Sequence, residues 1–264
     1  MYSGIAMYDT ENISPKIACD LGERFFKKIG IGITGAGYYS FLENGDHVGD
    51  HDIIDISFLD LKKKIELNAV TAFRIYCEEK GVKPWVASFG YTTNDFGGFY
   101  YVDVQFPDSD FNSRCLVDFF KSLGGFSFSY GIGYGSDSVT KSFYYATGDN
   151  MINLYPYENA SLFKRECPGR FKGQERYKNS MLRMVYPVNV INENHRSIII
   201  NGVSLYEWIF SNEKYGVVES LDNGMWLWMV QESNLDEVND VLGKAGVLIS
   251  WKSSSAKKVP RKLP

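Results

Sequence analysis

The chain has 264 residues, 44% of them apolar and 23% charged, which are ordinary proportions for a globular protein with a sizeable core. The formal net charge of −4 is unevenly distributed, because residues 252–264 carry five basic groups and no acid. The rest of the chain holds 23 basic against 32 acidic residues, which disfavours nucleic acid and anionic membrane as partners and favours a basic protein.

Targeting and cysteine patterns indicate a cytoplasmic protein. No uncharged stretch reaches the roughly 20 apolar residues of a membrane span, and the start of the chain, Met1-Tyr2-Ser3-Gly4-Ile5, lacks the pattern of a secretory signal. The four cysteines are scattered and form no C-x-x-C pair, so we expect reduced thiols.

In chain order, the first half predicts helices and strands at well-separated positions. A second helix over residues 60–80 depends on apolar residues at helical spacing and on a capping box, Ser57-x-x-Asp60. The first strand of this half stays open, because residues 31–41 and 53–56 compete for it. The predicted elements are helix 15–28, helix 60–80, strands 85–92 and 98–106, helix 110–123 and strand 126–134.

The second half predicts a similar order. Asp222-Asn223-Gly224 joins two strands, since Asn-Gly is a strong hairpin signal. Trp226 and Trp228 share one face of the second of these strands, and Leu227 and Met229 the other. We therefore expect this strand in the interior of a sheet, or else with one face against a partner. The predicted elements are strand 184–191, helix 204–212, strands 215–221 and 225–230, helix 234–242 and strand 247–251.

Helix, hairpin, helix and strand therefore occur twice, which predicts an α+β fold. We expect two ferredoxin-like modules of β-α-β-β-α-β order, either separate or sharing one continuous sheet. The predicted division is an N-terminal α+β module (1–150), a polar connector (151–179), a C-terminal α+β module (180–252) and a disordered basic tail (253–264).

A glycine-rich run, Gly30-Ile31-Gly32-Ile33-Thr34-Gly35, matches the dinucleotide-binding pattern G-x-G-x-x-G. Such a site requires the glycines to leave a strand and open a helix, so that phosphate meets the helix N-terminus. Here the run follows a helix and leads into a strand-like segment. We therefore predict no cofactor.

The segment 46–55 carries two histidines, His47 and His51, among four carboxylates. Imidazole and carboxylate can bind zinc, manganese or iron, but these histidines lie in a glycine-containing stretch that does not converge them. Residues 43–60 contain six acids and no Lys or Arg, which favours an acidic surface loop, solvated or engaged by a partner. The predicted partner-binding residues are Asp46, Asp50, Asp52 and Asp55.

Catalytic groups are sparse. No serine lies in a G-x-S-x-G elbow, and the whole chain has three histidines as candidate general bases. We predict a binding protein without catalytic or metal-binding residues, and not an enzyme.

The C-terminal portion resembles a protein family. The segment from Arg183 to His195, RMVYPVNVINENH, is followed by Leu-x-x-Trp-Ile at residues 205–209, by Asn-Gly-Met-Trp-Leu-Trp at 223–228 and by Ala-Gly-Val-Leu-Ile at 245–249. This order resembles bacterial immunity proteins of polymorphic-toxin and type VI secretion systems, over about 70 residues. The resemblance implies a cytoplasmic protein that binds and neutralises a cognate toxin.

An acidic surface would speed capture of a basic toxin. Two alternatives remain open. One is a small-molecule sensor whose modules enclose an aromatic-lined cleft. The other is a metal-dependent hydrolase that uses the 46–55 segment.

Overall fold

A computed structural model of the chain describes residues 1–46, 49–108, 113–169 and 172–252. The basic tail predicted at residues 253–264 lies outside these ranges. Within them, no helix is both long and apolar enough to cross a bilayer.

Most strands of the protein join one large sheet. The strands of this sheet are β1 (Tyr2–Tyr8), β2 (Gly35–Phe41), β3 (His51–Ile56), β4 (Phe73–Glu79), β5 (Val82–Thr92), β6 (Tyr101–Pro107), β7 (Tyr130–Ser136), β8 (Val188–Ile191), β11 (Val217–Ser220) and β12 (Trp226–Met229). They lie in the order β11-β12-β8-β7-β1-β6-β5-β4-β2-β3, and neighbouring strands run antiparallel. A small separate ribbon pairs β9 (Ile199–Ile200) with β10 (Val203–Ser204).

Helices cover both faces of the sheet. Their bounds are α1 (Pro15–Ile29), α2 (Phe58–Glu66), α3 (Asn94–Gly97), α4 (Ser113–Lys121), α5 (Val139–Thr147), α6 (Ala160–Lys164), α7 (Glu193–Arg196), α8 (Leu205–Phe210) and α9 (Leu235–Lys244). The first of them is closed at both ends as its sequence indicates. Ser14 accepts the N–H of Ile17, and Gly30 ends the helix with φ 70°.

Two hydrophobic cores lie on opposite faces of the sheet. On the first, called the α1 face, buried side chains of α1, α2 and α4 pack against strand residues such as Ile5, Phe89 and Val104. On the other, called the α5 face, buried side chains of α5, α6, α8 and α9 pack against Tyr8 and Trp228. Because successive strand residues point to opposite faces, each central strand contributes to both cores.

The N-terminal strand β1 occupies the middle of the sheet, between β6 and β7. Its residues from Ser3 to Tyr8 are all buried. Gly4 permits close packing on the α5 face, because a Cβ there would lie 2.4 Å from the Tyr134 ring and from Ser142 Oγ. The sequence pattern did not identify this strand. The two competing candidates for a first strand, 31–41 and 53–56, instead correspond to β2 and β3.

The predicted helix over residues 60–80 is wrong in its second half. Helix α2 ends at Glu66, Asn68 takes a left-handed conformation with φ 54°, and residues 73–79 form β4. The apolar residues of this stretch fit a helical period and an alternating period equally well. Hydrogen bonding to β2 and β5 makes residues 73–79 a strand, and the spacing of apolar residues alone cannot indicate this pairing.

The final predicted strand, 247–251, is reduced to isolated bridges at Leu248 and Trp251. The interior position predicted for the tryptophan strand is confirmed, because β12 lies between β11 and β8 and Trp228 is fully buried. The protein is thus a mixed α+β fold dominated by one antiparallel sheet. The division into modules at residues 150 and 180 stays a prediction.

Candidate functional site

All four carboxylates predicted to bind a partner lie on one hairpin, formed by β2, β3 and the loop between them. Asp46 lies in the loop, Asp50 directly precedes β3, and Asp52 and Asp55 lie within β3. The expected acidic loop is therefore partly a strand. The reason is the β-branched pair Ile53-Ile54, which suits a pleated strand, together with the pairing of β3 along β2 from Ala36↔Ile56 to Phe41↔His51.

The hairpin is rich in carboxylates and lacks Lys and Arg. Asp46, Asp52 and Asp55 are exposed and Asp50 is half-buried. Residues 43–60 contain no Lys or Arg. Of the lysines that follow in α2, Lys62 pairs with Glu23 at 2.9 Å and Lys63 with Asp60 at 3.0 Å. Lys64 lies over the Tyr38 ring of β2, 5.0 Å from its centroid. Asp52 and Asp55 of β3 are exposed and can meet an external cation.

Two of the carboxylates make well-defined hydrogen bonds. Asp52 Oδ1 accepts the backbone N–H of Ile53 at 2.8 Å, and the Tyr76 hydroxyl donates to Asp55 Oδ1 at 2.8 Å. Burial, and secondly the hydrogen bond to the Asp55 carboxylate, raise the pKa of Tyr76 above its ordinary value. Tyr76 therefore remains a neutral donor that holds Asp55 in place on the α5 face of the sheet.

Large apolar side chains are exposed between these carboxylates. Phe41, Leu42, Ile53 and Ile54 are 53%, 49%, 37% and 41% exposed. The Phe41 ring stacks on Phe96 of α3, with ring centroids 4.6 Å apart, which supports the hairpin from the α5 face. Exposed apolar groups surrounded by polar ones are typical of surfaces that meet another protein.

The hairpin depends on a glycine for its side-chain arrangement. A Cβ at Gly37 would lie 2.4 Å from Ile53 Cγ2 and 3.4 Å from Asp55 Oδ1. Gly37 therefore leaves the room in which these two β3 side chains lie across β2.

The metal-site alternative depends on His47 and His51. His47 lies outside the described residues, and the His51 Nδ1 lies 3.1 Å from the backbone oxygen of Gly49. Across the described ranges, no group of three or more His, Cys, Asp or Glu side chains is arranged to hold a metal ion. Nothing in the geometry of β3 adds support to a hydrolase.

The sensor alternative corresponds to a small pocket of about 240 Å³ beside the hairpin. Aromatic side chains line much of it, while Lys164 and Asp149 form an ion pair of 2.8 Å in its wall. The aromatic lining residues are Tyr39, Phe96, Phe99 and Tyr101. The pocket is smaller than the roughly 300–1,000 Å³ usual for small-molecule sites.

A second acidic surface was missed by sequence reasoning. An open cleft of about 390 Å³ lies between the start of α5 and the start of α9, and Asp137, Glu232 and Asp236 line it together with Tyr155. Lys141 pairs with Asp137 at 2.5 Å, which leaves the other two carboxylates as its main charges. These residues are far apart in the chain, so no local run of acids could indicate the cleft.

Most of the residues that carry the family resemblance are buried. Several of them form a buried hydrogen-bonding frame. Asn189 bonds the backbone of Tyr186 and the carbonyl of Trp228, and Asn192 caps α7 at His195. Arg183 is fully buried, lies 3.8 Å from the Tyr145 ring centroid and donates to the Tyr8 hydroxyl at 3.2 Å.

His195 completes this frame as a neutral imidazole. Its Nε2 lies 2.8 Å from the carbonyl oxygen of Tyr177, and its Nδ1 accepts the N–H of Asn192 at 3.3 Å. Burial lowers the pKa of His195 to about 4. The imidazole therefore serves the fold of this segment, and the resemblance concerns the interior.

Comparison with solved structures shows a likeness of fold. The fold is similar to that of a Pseudomonas aeruginosa type VI secretion system (T6SS) protein, PA0821, with a TM-score of 0.55 and 10% sequence identity. The match covers 97% of this chain and 76% of that one. At such low identity the likeness concerns the fold alone. No protein-family model and no curated protein sequence matches the chain.

Proposed function

We propose that this chain is a cytoplasmic immunity protein that binds and neutralises a cognate basic toxin of a bacterial type VI or other polymorphic-toxin system. The β2–β3 hairpin carries the proposal, because it combines an excess of carboxylates over Lys and Arg with exposed Phe41, Leu42, Ile53 and Ile54. The T6SS association of a distant structural neighbour and the family resemblance support the same class of function. In this proposal the chain acts by binding and has no catalytic role.

We also propose that the sheet contains one β-α-β-β-α-β unit and a second such unit whose last strand, at residues 247–251, is reduced to isolated bridges. In the first half, β1 lies between β6 and β7, β5 lies outside β6, and α1 and α4 cover one face. In the second half, β12 lies between β8 and β11, and α8 and α9 cover the opposite face. This strand order supports ferredoxin-like units within a continuous sheet, with β2, β3, α2 and β4 inserted in the first. The insertion supplies the acidic hairpin.

The first experiment tests neutralisation. The protein encoded by the neighbouring gene is expressed in a bacterial host with and without this chain, and growth is measured. Rescue of growth, together with a purified complex, supports the proposal. A toxic neighbour that this chain neither binds nor neutralises would contradict it.

The second experiment tests the hairpin. Replacing Asp46, Asp50, Asp52 and Asp55 together with Asn removes four charges and keeps an Oδ1 acceptor at each position, including those that bond Ile53 and Tyr76. Electrostatic steering acts mainly on association, so we expect the association rate to fall about tenfold at low salt. The difference should shrink at high ionic strength, because salt screens exposed charges.

A matched control removes the same number of acidic charges elsewhere. These four residues are exposed and belong to other parts of the fold: Glu11, Asp20, Glu213 and Asp222. Their replacement by the corresponding amides should slow association much less. Equal slowing by both sets would show that only net charge matters, and no slowing by the hairpin set would place the interface elsewhere. Thermal melts of both variants should match the parent protein.

A small-molecule sensor is the second candidate, favoured by the aromatic pocket at Tyr39, Phe96 and Tyr101. A ligand that raises the melting temperature of the parent protein, but not that of Phe96→Ala, would favour it.

A further inference from the structure

The strand β3 is the last strand at its end of the sheet, so one of its edges has no neighbouring strand within the described residues. The direction of its backbone groups follows from two hydrogen bonds. Leu42 N–H donates to Asp50 O at 2.8 Å, and Tyr39 N–H donates to Ala72 O at 3.0 Å. In an antiparallel pair, successive residues alternate between facing the partner strand and facing away. Residues 50, 52, 54 and 56 therefore face β2, and His51, Ile53 and Asp55 direct their backbone groups outward.

Few side chains protect the outer edge of β3 from pairing with another strand. The outward N–H of Ile53 is occupied by its neighbour, Asp52 Oδ1, at 2.8 Å, and this contact is exposed to water. Native edge strands commonly avoid association by lysine, proline or burial. Residues 51–56 contain neither lysine nor proline, and Ile53 and Ile54 stay exposed on opposite faces. The edge is thus open to a strand that can displace the Asp52 carboxylate.

The opposite end of the sheet offers a useful contrast. Strand β11 is shorter, and its Glu219 is paired with Lys121 at 2.5 Å. The Leu221 N–H donates to Met225 O at 2.8 Å, so Val218 and Ser220 face outward there. This edge lacks the unbalanced acidic charge of β3.

We propose that an extended basic segment of the partner adds to the sheet as a further strand along β3. This proposal rests on the proposed function only for the identity of that partner. Outward backbone groups of His51, Ile53 and Asp55 would pair with the added strand, while Asp52 and Asp55 meet its basic side chains. Lysine or arginine in the added strand draws the Asp52 carboxylate away from the Ile53 N–H and frees this donor.

Charge decides between a partner segment and a second copy of this chain. Two β3 edges brought together would place two hairpins, each with acids and no Lys or Arg in residues 43–60, within one Debye length of about 8 Å. Like charges across paired strands are destabilising. The same charges attract a basic strand. We therefore assign this edge to a partner of opposite charge and not to a second copy of the chain.

The test uses a synthetic peptide of alternating valine and lysine, about eight residues long, which suits a single strand. An alternating valine–glutamate peptide is the charge control. Binding is followed by NMR, as hydrogen-exchange protection of the His51, Ile53 and Asp55 amides. We expect the lysine peptide to protect these amides and the glutamate peptide to leave them unprotected.

Backbone dependence is tested with three variants. Ile53→Pro removes an outward N–H that no strand uses, so the fold tolerates it at an edge. Ile53→Ala removes the same side chain and keeps the N–H, and Ser220→Pro makes the equivalent change at the β11 edge. We expect Ile53→Pro to bind the lysine peptide about tenfold more weakly than Ile53→Ala, and Ser220→Pro to bind it as the parent does.

Equal binding by Ile53→Pro and Ile53→Ala, or no protection of the β3 amides, would overturn the proposal. If Ile53→Pro does not fold, a lysine peptide methylated on alternate backbone nitrogens replaces it. Weaker binding of the methylated peptide supports strand addition, and unchanged binding contradicts it. If the protein binds the peptide along β3 but fails the neutralisation assay, the proposed function is rejected and strand addition at β3 still stands.

Discussion

Lowering the pH should destabilise this protein through His195, whose imidazole is buried and neutral. Burial holds its pKa at about 4, against an ordinary value of 6.5 in the unfolded chain. Between these values the unfolded state binds more protons than the folded state, so stability is lost as the pH falls. Linkage over this interval gives a loss of about 2 kcal/mol between pH 7 and pH 5. For a chain of this size, such a loss lowers the melting temperature by about 4–8 °C.

The assay is urea unfolding at a series of pH values between 5 and 7. His195→Gln keeps a donor toward the Tyr177 carbonyl and removes the titrating group, so its stability should change less with pH than that of the parent, by about 2 kcal/mol. His51→Gln, which replaces an exposed imidazole on β3, should behave as the parent does. If His195→Gln and the parent lose the same stability between pH 7 and pH 5, the imidazole is not buried as a neutral group.

Two further predictions concern packing. Arg74 and Asp103 form a 2.7 Å ion pair, and each side chain is 1% exposed. Asp103→Ala leaves a buried charge unpaired, so it should lower the free energy of unfolding in urea by about 3–5 kcal/mol, and the Arg74→Met, Asp103→Leu double variant should lower it less. A loss below about 1 kcal/mol for Asp103→Ala would contradict this. Gly243→Ala would place a Cβ 2.2 Å from Trp251 Cδ2. The substitution should therefore lower the free energy of unfolding by about 1–3 kcal/mol and shift the tryptophan fluorescence. An unchanged melting curve and spectrum would show that Trp251 does not pack on α9.

The residues of the family resemblance and the proposed partner surface lie in different parts of the molecule. Asn189, Asn192 and His195 are hydrogen-bonded inside the C-terminal half, where they hold β8 and α7 in place. The acidic hairpin lies at the far end of the sheet. Substitutions at this exposed edge are therefore expected to disturb the core less than substitutions of the buried Asn189 or His195.

Local sequence signals were sufficient for several elements. The helix α1 was predicted at residues 15–28 and spans Pro15–Ile29, where Ser14, Pro15 and Gly30 supply its cap, its first position and its stop. The hairpin of β11 and β12 was predicted from Asn223-Gly224, and Gly224 has the positive φ, 75°, that this turn requires. The acidic hairpin was also indicated by the sequence, because six acids fall within residues 43–60 and no Lys or Arg lies among them.

Other features were decided by the tertiary structure alone. The run from Leu61 to Tyr76 fitted a helical period, yet β2 and β5 provide hydrogen-bonding partners that make residues 73–79 a strand. The central place of β1, the edge position of β3 and the cleft at Asp137 and Glu232 each bring together segments far apart in the chain. Caps, turns and charge runs act over a few residues and are therefore visible in the sequence. Strand order depends on which distant segments bury each other's apolar faces, and only the folded chain determines it.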